Sequence, residues 1–199
     1  MTRQRSSLSI VWVAAVIVLL DQITKLVVKG VPFLGIDGMP LHSSFPFIDD
    51  LVRITYVENP GIAFGITIPG MKIFFSLFSV VAAVAIFIYL RRNNDRLNGW
   101  DRIALVLIMG GAVGNLIDRC FYGVLYGEQD LFYGYVVDFI DFGYKKNWWP
   151  IFNIADSAVT VGVAIIAIRM LFKKSSPDAA AVPPPPRSEP LHDELQHHA

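Results

Sequence analysis

Long apolar runs alternate along the chain with shorter polar stretches. From Ile10 to Leu20 no charge interrupts the run, and after Asp21 the apolar character resumes through Ile23, Leu26, Val27 and Val28. Three further runs cover about 71–90, 103–118 and 151–172. Crossing a hydrocarbon core of ~30 Å takes about 20 apolar residues. The pattern therefore predicts four transmembrane helices, at about 10–28, 71–90, 103–118 and 151–172. Arg3 and Arg5 ahead of the first run give it the form of a secretory signal sequence. No small-x-small cleavage site follows, so the run reads as a helix that stays in the protein.

The stretches between the runs have their own signals. Residues 30–70 are polar and rich in Gly and Pro; within them Leu51–Val57, with Val52, Ile54 and Tyr56 on one side, predicts a strand, and Asn59-Pro60-Gly61 predicts a turn. The segment 120–150 is dense in aromatic residues, and Tyr144, Trp148 and Trp149 suit a membrane-interface belt. Residues 175–199, with Pro183 to Pro186 in a row, read as a disordered tail, and His192, His197 and His198 as part of it rather than a metal site. The expected fold class is an all-α membrane protein: four transmembrane helices with a small β-rich cradle outside the bilayer, forming one domain over 1–174.

Composition agrees with a bilayer as solvent: 54% of the 199 residues are hydrophobic and mean hydropathy is +0.49. Lys and Arg total 17 against 17 Asp and Glu, so no basic field points to a nucleic acid. The single cysteine, Cys120, excludes an internal disulfide framework and any multi-cysteine metal site, and reads as a small hydrophobe. Arg3, Arg5, Arg91, Arg92, Arg96, Arg102, Arg169, Lys173 and Lys174 fall on one side of the four-span arrangement. Lys29, Arg53, Lys72, Lys145 and Lys146 are scattered over the two longer loops on the other. The positive-inside rule puts both termini in the cytoplasm and both longer loops outside it.

Candidate chemistry concentrates between Val136 and Ser157. An ionisable side chain at membrane depth is a functional-site hypothesis by default, and Asp138 and Asp156 sit at the two ends of this stretch, 18 residues apart. Two carboxylates about 4 Å apart repel by about 4 kcal/mol at an effective dielectric of ~20, enough to make them share one proton near neutral pH. Asp141 competes with Asp138 for the inward position, and the residues alone leave that choice open. Asn153 and Asp156 share a helix face, as do Asp21, Thr24 and Lys25. In the third run Gly110 and Gly114 permit close helix approach, and Gly111, Asn115, Asp118 and Arg119 continue at helical spacing. Asp118 and Arg119 read as a structural ion pair. Asn59 offers an amide donor and acceptor for a peptide backbone or a carboxylate. Two other chemistries use the same residues: a Ser157–Lys25 nucleophile and base, and a proton relay in a small transporter. Ser157 lies about 100° round a helix from Asp156, and no chain of carboxylates crosses the bilayer, so neither is preferred.

Five motifs, taken together and in order, resemble the lipoprotein signal peptidase (signal peptidase II) family: Asp21-Gln22-Ile23-Thr24-Lys25, Asn59-Pro60-Gly61-Ile62-Ala63-Phe64-Gly65, Gly110 to Arg119, Val136-Val137-Asp138-Phe139, and Phe152-Asn153-Ile154-Ala155-Asp156-Ser157. The resemblance spans about 10–172. It implies an aspartyl endopeptidase of the bacterial inner membrane that removes signal peptides from diacylglyceryl-modified prolipoproteins just before the lipidated cysteine, without metal or cofactor. It also implies contact with membrane lipids, inhibition by globomycin-type compounds, and an active site on the periplasmic side. It selects Asp138 and Asp156 as the catalytic dyad. Asn115, Arg119 and Asn153 are then expected to orient the carboxylates, Asn59 and Gly61 to hold substrate backbone, and Gly110, Gly111 and Gly114 to leave room for a helix or an acyl chain. Asp21 and Lys25 join the polar site framework. The chain departs from the family pattern in a longer segment over 121–135, containing Glu128, Gln129 and Asp130, and in its Pro-rich tail.

Overall fold

The computed structural model describes residues 2–49, 51–61, 71–144 and 147–172. Residues 62–65 of the second motif and the tail at 175–199 lie outside them. Helix α1 (Thr2–Lys29) leads into two short strands, β1 (Gly30–Val31) and β2 (Ile36–Asp37), paired antiparallel. A hairpin of β3 (Ser44–Ile48) and β4 (Val52–Asn59) follows, so the predicted strand at Leu51–Val57 is present and extends to Asn59. Next come α2 (Met71–Asn93) and α3 (Gly99–Ile117), the latter opened by Asn98, whose side chain accepts from the Asp101 N–H. A π turn (Asp118–Tyr122) and the short α4 (Gly123–Leu125) extend α3 without a break. The chain returns through β5 (Val136–Tyr144), β6 (Asn147–Trp148) and α5 (Ile154–Phe172).

Among the described residues, three helical stretches are long and apolar enough to cross a membrane: Ile73–Asn93, Gly99–Leu125 and Ile154–Phe172. Helix α3 starts four residues before its apolar run at 103–118 and α5 starts three residues after the beginning of its run at 151–172, while both stop within one residue of where hydropathy puts them. Hydropathy averages over windows, whereas the starts are set by N-terminal caps at Asn98 and Asn153. The sheet is larger than the single strand that the alternation predicts, with four strands in the order β3-β4-β5-β6. Strand β5 escapes a period-2 reading because it is covered on both sides along Val136–Phe139, and such strands read as continuous apolar runs.

Glycines set how closely the helices pack. A Cβ on Gly111 would lie 2.3 Å from the Ala155 carbonyl oxygen, and one on Gly162 2.6 Å from that of Ala104. Backbone of α3 and α5 is thus in direct contact. A Cβ on Gly110 would meet the Ile17 side chain at 3.2 Å, so the room left by these glycines is filled by α1 and α5. Below the sheet, Val28, Tyr56, Tyr122, Val137 and Phe139 form one buried cluster that seats the sheet on the ends of α1 and α3.

Candidate active site

Strand β5 carries Asp138 into the interior. Antiparallel pairing sets Asp138 opposite Val57 and Val136 opposite Asn59. Side chains alternate along a strand, so Asp138 shares a face with Asn59 and leaves Val137 and Phe139 to the apolar cluster. The Asp138 side chain is 1% exposed. Its Oδ1 accepts from Asn153 Nδ2 at 2.6 Å and its Oδ2 from Asn59 Nδ2 at 3.1 Å. Burial, and after it the charge of Asp156, raises the carboxyl to about 7; the Asn59 bond, Lys25 and the Asn153 bond pull the other way without cancelling them. Asp141, three residues on, points to the opposite face and accepts from Thr55 Oγ1 at 2.8 Å. It belongs to the sheet.

Asp156 stands in the first turn of α5 because Asn153 caps that helix: Asn153 Oδ1 accepts the Asp156 N–H at 2.8 Å. One carboxylate oxygen, Oδ1, accepts from Asn115 Nδ2 at 2.7 Å. Asn115 Oδ1 in turn accepts from Asn153 Nδ2 at 3.0 Å. The two amides therefore form a bridge, with Asn153 on Asp138 and Asn115 on Asp156.

Behind the bridge lies a buried charge cluster. Lys25 Nζ is 2.8 Å from Asp21 Oδ2, 2.8 Å from Asp118 Oδ2 and 2.9 Å from Asn115 Oδ1. All three charged side chains are fully buried, and a charge taken out of water needs such partners. The same two carboxylates order the backbone: Asp21 Oδ1 accepts the Ala155 N–H at 2.9 Å, and Asp118 Oδ2, besides facing Lys25, accepts the Val137 N–H at 3.1 Å. Each of these bonds anchors a residue next to one carboxylate of the pair. Gln22 closes the cluster, donating to Asp118 Oδ1 at 2.9 Å and to the Gly114 carbonyl at 3.1 Å. Gly114 is needed here, since a Cβ would fall 2.7 Å from Asp21 Oδ2.

The structure brings Asp138, Asp156, Asn59, Asn115, Asn153, Asp21 and Lys25 into one hydrogen-bonded group, with Gly111 at the helix contact beside it. Gly61 N–H donates to Asn59 Oδ1 at 2.9 Å, a turn with φ of +100° at Gly61. Arg119 feels the charges of Asp156, Asp118 and Asp138, and its Nη1 reaches Ser79 Oγ at 3.5 Å. The ion pair of Asp118 is with Lys25 rather than with its neighbour Arg119, because successive helical residues point in different directions. Ser157 Oγ donates to the Asn153 carbonyl at 2.8 Å and Lys25 is committed to its two carboxylates, so the two do not form a nucleophile and base. Among the described residues, no three His, Cys, Asp or Glu side chains are grouped to hold a metal ion. The role of Gln22 escapes single-residue reasoning, although it stands inside the first quoted motif.

Comparison with known proteins gives this geometry its context. The sequence model of the family described as signal peptidase (SPase) II matches residues 13–172. The chain is 38% identical over 156 residues to the lipoprotein signal peptidase of Halothermothrix orenii, covering 78% of this chain and 90% of that one. It is 39% identical over 163 residues to that of Geobacillus kaustophilus, covering 81% and 92%. A solved structure described as a bacterial membrane enzyme, determined by the in meso method at 2.3 Å resolution, superposes with a TM-score of 0.67 at 32% identity, over 87% of this chain and 94% of that one.

Proposed function

The chain belongs to the signal peptidase II family of aspartic endopeptidases, and from that premise we propose that it cleaves signal peptides from diacylglyceryl-modified bacterial prolipoproteins just before the lipidated cysteine, with Asp138 and Asp156 as the catalytic pair. One observation carries the reading. Two carboxylates from different elements are held by a shared amide bridge, Asn153 on Asp138 and Asn115 on Asp156.

In the proposed mechanism Asp138 enters protonated and Asp156 ionised. Asp156 takes a proton from a water as its oxygen attacks the scissile carbonyl carbon, while Asp138 gives its proton to the carbonyl oxygen. The resulting gem-diol collapses as Asp138 takes back a hydroxyl proton and Asp156 delivers its own to the departing amide nitrogen. The C–N bond breaks and both carboxyls return to their starting states. Asn115 and Asn153 keep the pair aimed; Arg119 adds positive charge beside it; Asn59 and Gly61, at the turn that ends β4, form a wall against which substrate backbone lies. Asp21 and Lys25 hold Asn115 and the start of α5 from behind, and Gly111 lets α5 come close enough.

We further infer that α1 is a fourth span. Its outward side chains Trp12, Val16, Leu19, Leu20, Ile23 and Val27 are all exposed apolar surface, which suits lipid. With arginines concentrated on one side, both termini and the tail at 175–199 lie in the cytoplasm of the inner membrane, and the dyad, the β-rich cradle and a globomycin-type inhibitor site lie at the periplasmic surface. The transporter alternative is not favoured. Apart from Asp101, which pairs with Arg169 at 2.7 Å, the described carboxylates of the helices gather in one cluster. Mass spectrometry of a diacylglyceryl-modified prolipoprotein incubated with the purified protein tests the reading. The expected product begins at the lipidated cysteine; an intact substrate, or a cut elsewhere, overturns it.

A further inference from the structure

The mechanism leaves unused a charge cluster on the other face of β4. Lys29, the last residue of α1, has a side chain only 6% exposed, and it takes carboxylates from two distant parts of the chain. One is Glu58 of β4, which its Nζ contacts directly. The other is Glu128, with Oε1 at 2.9 Å and Oε2 at 3.1 Å. The Tyr56 hydroxyl donates to Glu58 Oε1 at 2.5 Å. The ammonium also lies 4.3 Å from the ring centroid of Tyr126, whose hydroxyl donates to the Gly30 carbonyl at 2.6 Å.

Glu128 belongs to the segment 121–135 that joins the π turn to β5. The far part of that segment is tied to α2 through Ser76 Oγ, which donates to the Phe132 carbonyl at 3.0 Å, and to the π turn through the Gly134 N–H on the Arg119 carbonyl at 3.0 Å. It is a strap from α2 to the end of α1, and Lys29 joins it to β4. Adjacent strand residues point to opposite faces, so while Glu58 is held by Lys29, Asn59 reaches Asp138 on the other side. Fixing Glu58 fixes the roll of the last residues of β4, and with it the reach of the Asn59 amide.

We propose that Lys29 is a positioning residue: by binding Glu58 and Glu128 together it fastens the 121–135 strap to the end of β4 and holds Asn59 on Asp138. This rests on the peptidase reading of the site. Without the ammonium, Glu58 and Glu128 face each other as like charges, which drives the strap and the strand end apart and withdraws a hydrogen-bond donor from Asp138.

A charge exchange tests this. Lys29→Glu leaves three carboxylates in the cluster, whereas Lys29→Glu combined with Glu128→Lys restores two carboxylates and one ammonium. Two quantities are read on the purified full chain: kcat and KM on a diacylglyceryl-modified prolipoprotein, and the infrared titration midpoint of the Asp138 carboxyl, assigned by difference against Asp138→Asn. The charged groups facing Asp138, namely Asp156 from α5, Lys25 from α1 and Arg119 from the π turn, are the same in every variant. The single variant is expected to lose about ten- to a hundredfold in kcat with KM close to wild type, and to shift the midpoint upward. The exchange is expected to bring both back toward wild type. A wild-type kcat and midpoint in Lys29→Glu, or an exchange no better than the single variant, overturns the proposal. Where Lys29→Glu fails to fold, Lys29→Gln is read in the same way, and an unchanged midpoint there is equally fatal. The infrared titration does not require cleavage, so an inactive wild type would sink the peptidase reading while the positioning claim is still decided.

Discussion

A carboxyl group buried beside another carboxylate gives up its proton reluctantly, and the reluctance is measurable as stability. Asp138 has this environment: its carboxyl is raised from 3.8 to about 7, first by burial and then by Asp156. The folded state therefore binds a proton that the unfolded chain has already lost between those two values, and stability falls as pH rises through the window. The full cost is about 4 kcal/mol by the usual conversion. Asp138→Asn removes the titration. Its stability relative to wild type is expected to improve by up to about 4 kcal/mol between pH 4 and pH 8, read from thermal midpoints in detergent, and a difference independent of pH would contradict the assignment. The same residue marks the limit of what sequence conveys. Asp138 and Asp141 are equivalent as symbols in a string, and only the register of β5 against β4 turns one to Asn59 and the other to Thr55.

At the scale of elements, the site depends on how close α3 and α5 come. Gly111 faces the Ala155 carbonyl one residue from Asp156, with no space for a methyl group. Gly111→Ala is expected to push α5 outward, costing about 1–3 kcal/mol of stability and lowering activity about a hundredfold through a displacement of about 1 Å at Asp156. Wild-type cleavage by Gly111→Ala would contradict the packing account. The helical runs and the small-residue spacing of α3 were legible in the sequence because hydropathy and glycine are local signals. The partners of those glycines were not: Ile17 and Ala155 lie far away along the chain, and nothing local says whether a helix or a lipid chain fills the gap. For the same reason the single strand Leu51–Val57 was visible from its alternation while β5 was not. The Lys29 cluster was invisible too, since Glu58 and Glu128 are 29 and 99 residues away from it.

At the scale of the whole molecule, the buried charged groups of α1, the π turn, β5 and the start of α5 are gathered into one structure. Lys25 pairs with both Asp21 and Asp118 and donates to Asn115, and Asn115 with Asn153 holds the two carboxylates. Described polar residues of the five motifs, from Asp21 to Asp156, are thus the parts of a single hydrogen-bonded assembly. The central claim is that Asp138 and Asp156, and not Asp141, perform the cleavage. The most direct test is the gel shift of a diacylglyceryl-modified prolipoprotein treated with purified wild type, Asp138→Asn, Asp156→Asn and Asp141→Asn. Cleavage is expected from wild type and Asp141→Asn and is expected to be lost in the other two; normal cleavage by Asp138→Asn or Asp156→Asn would contradict the dyad.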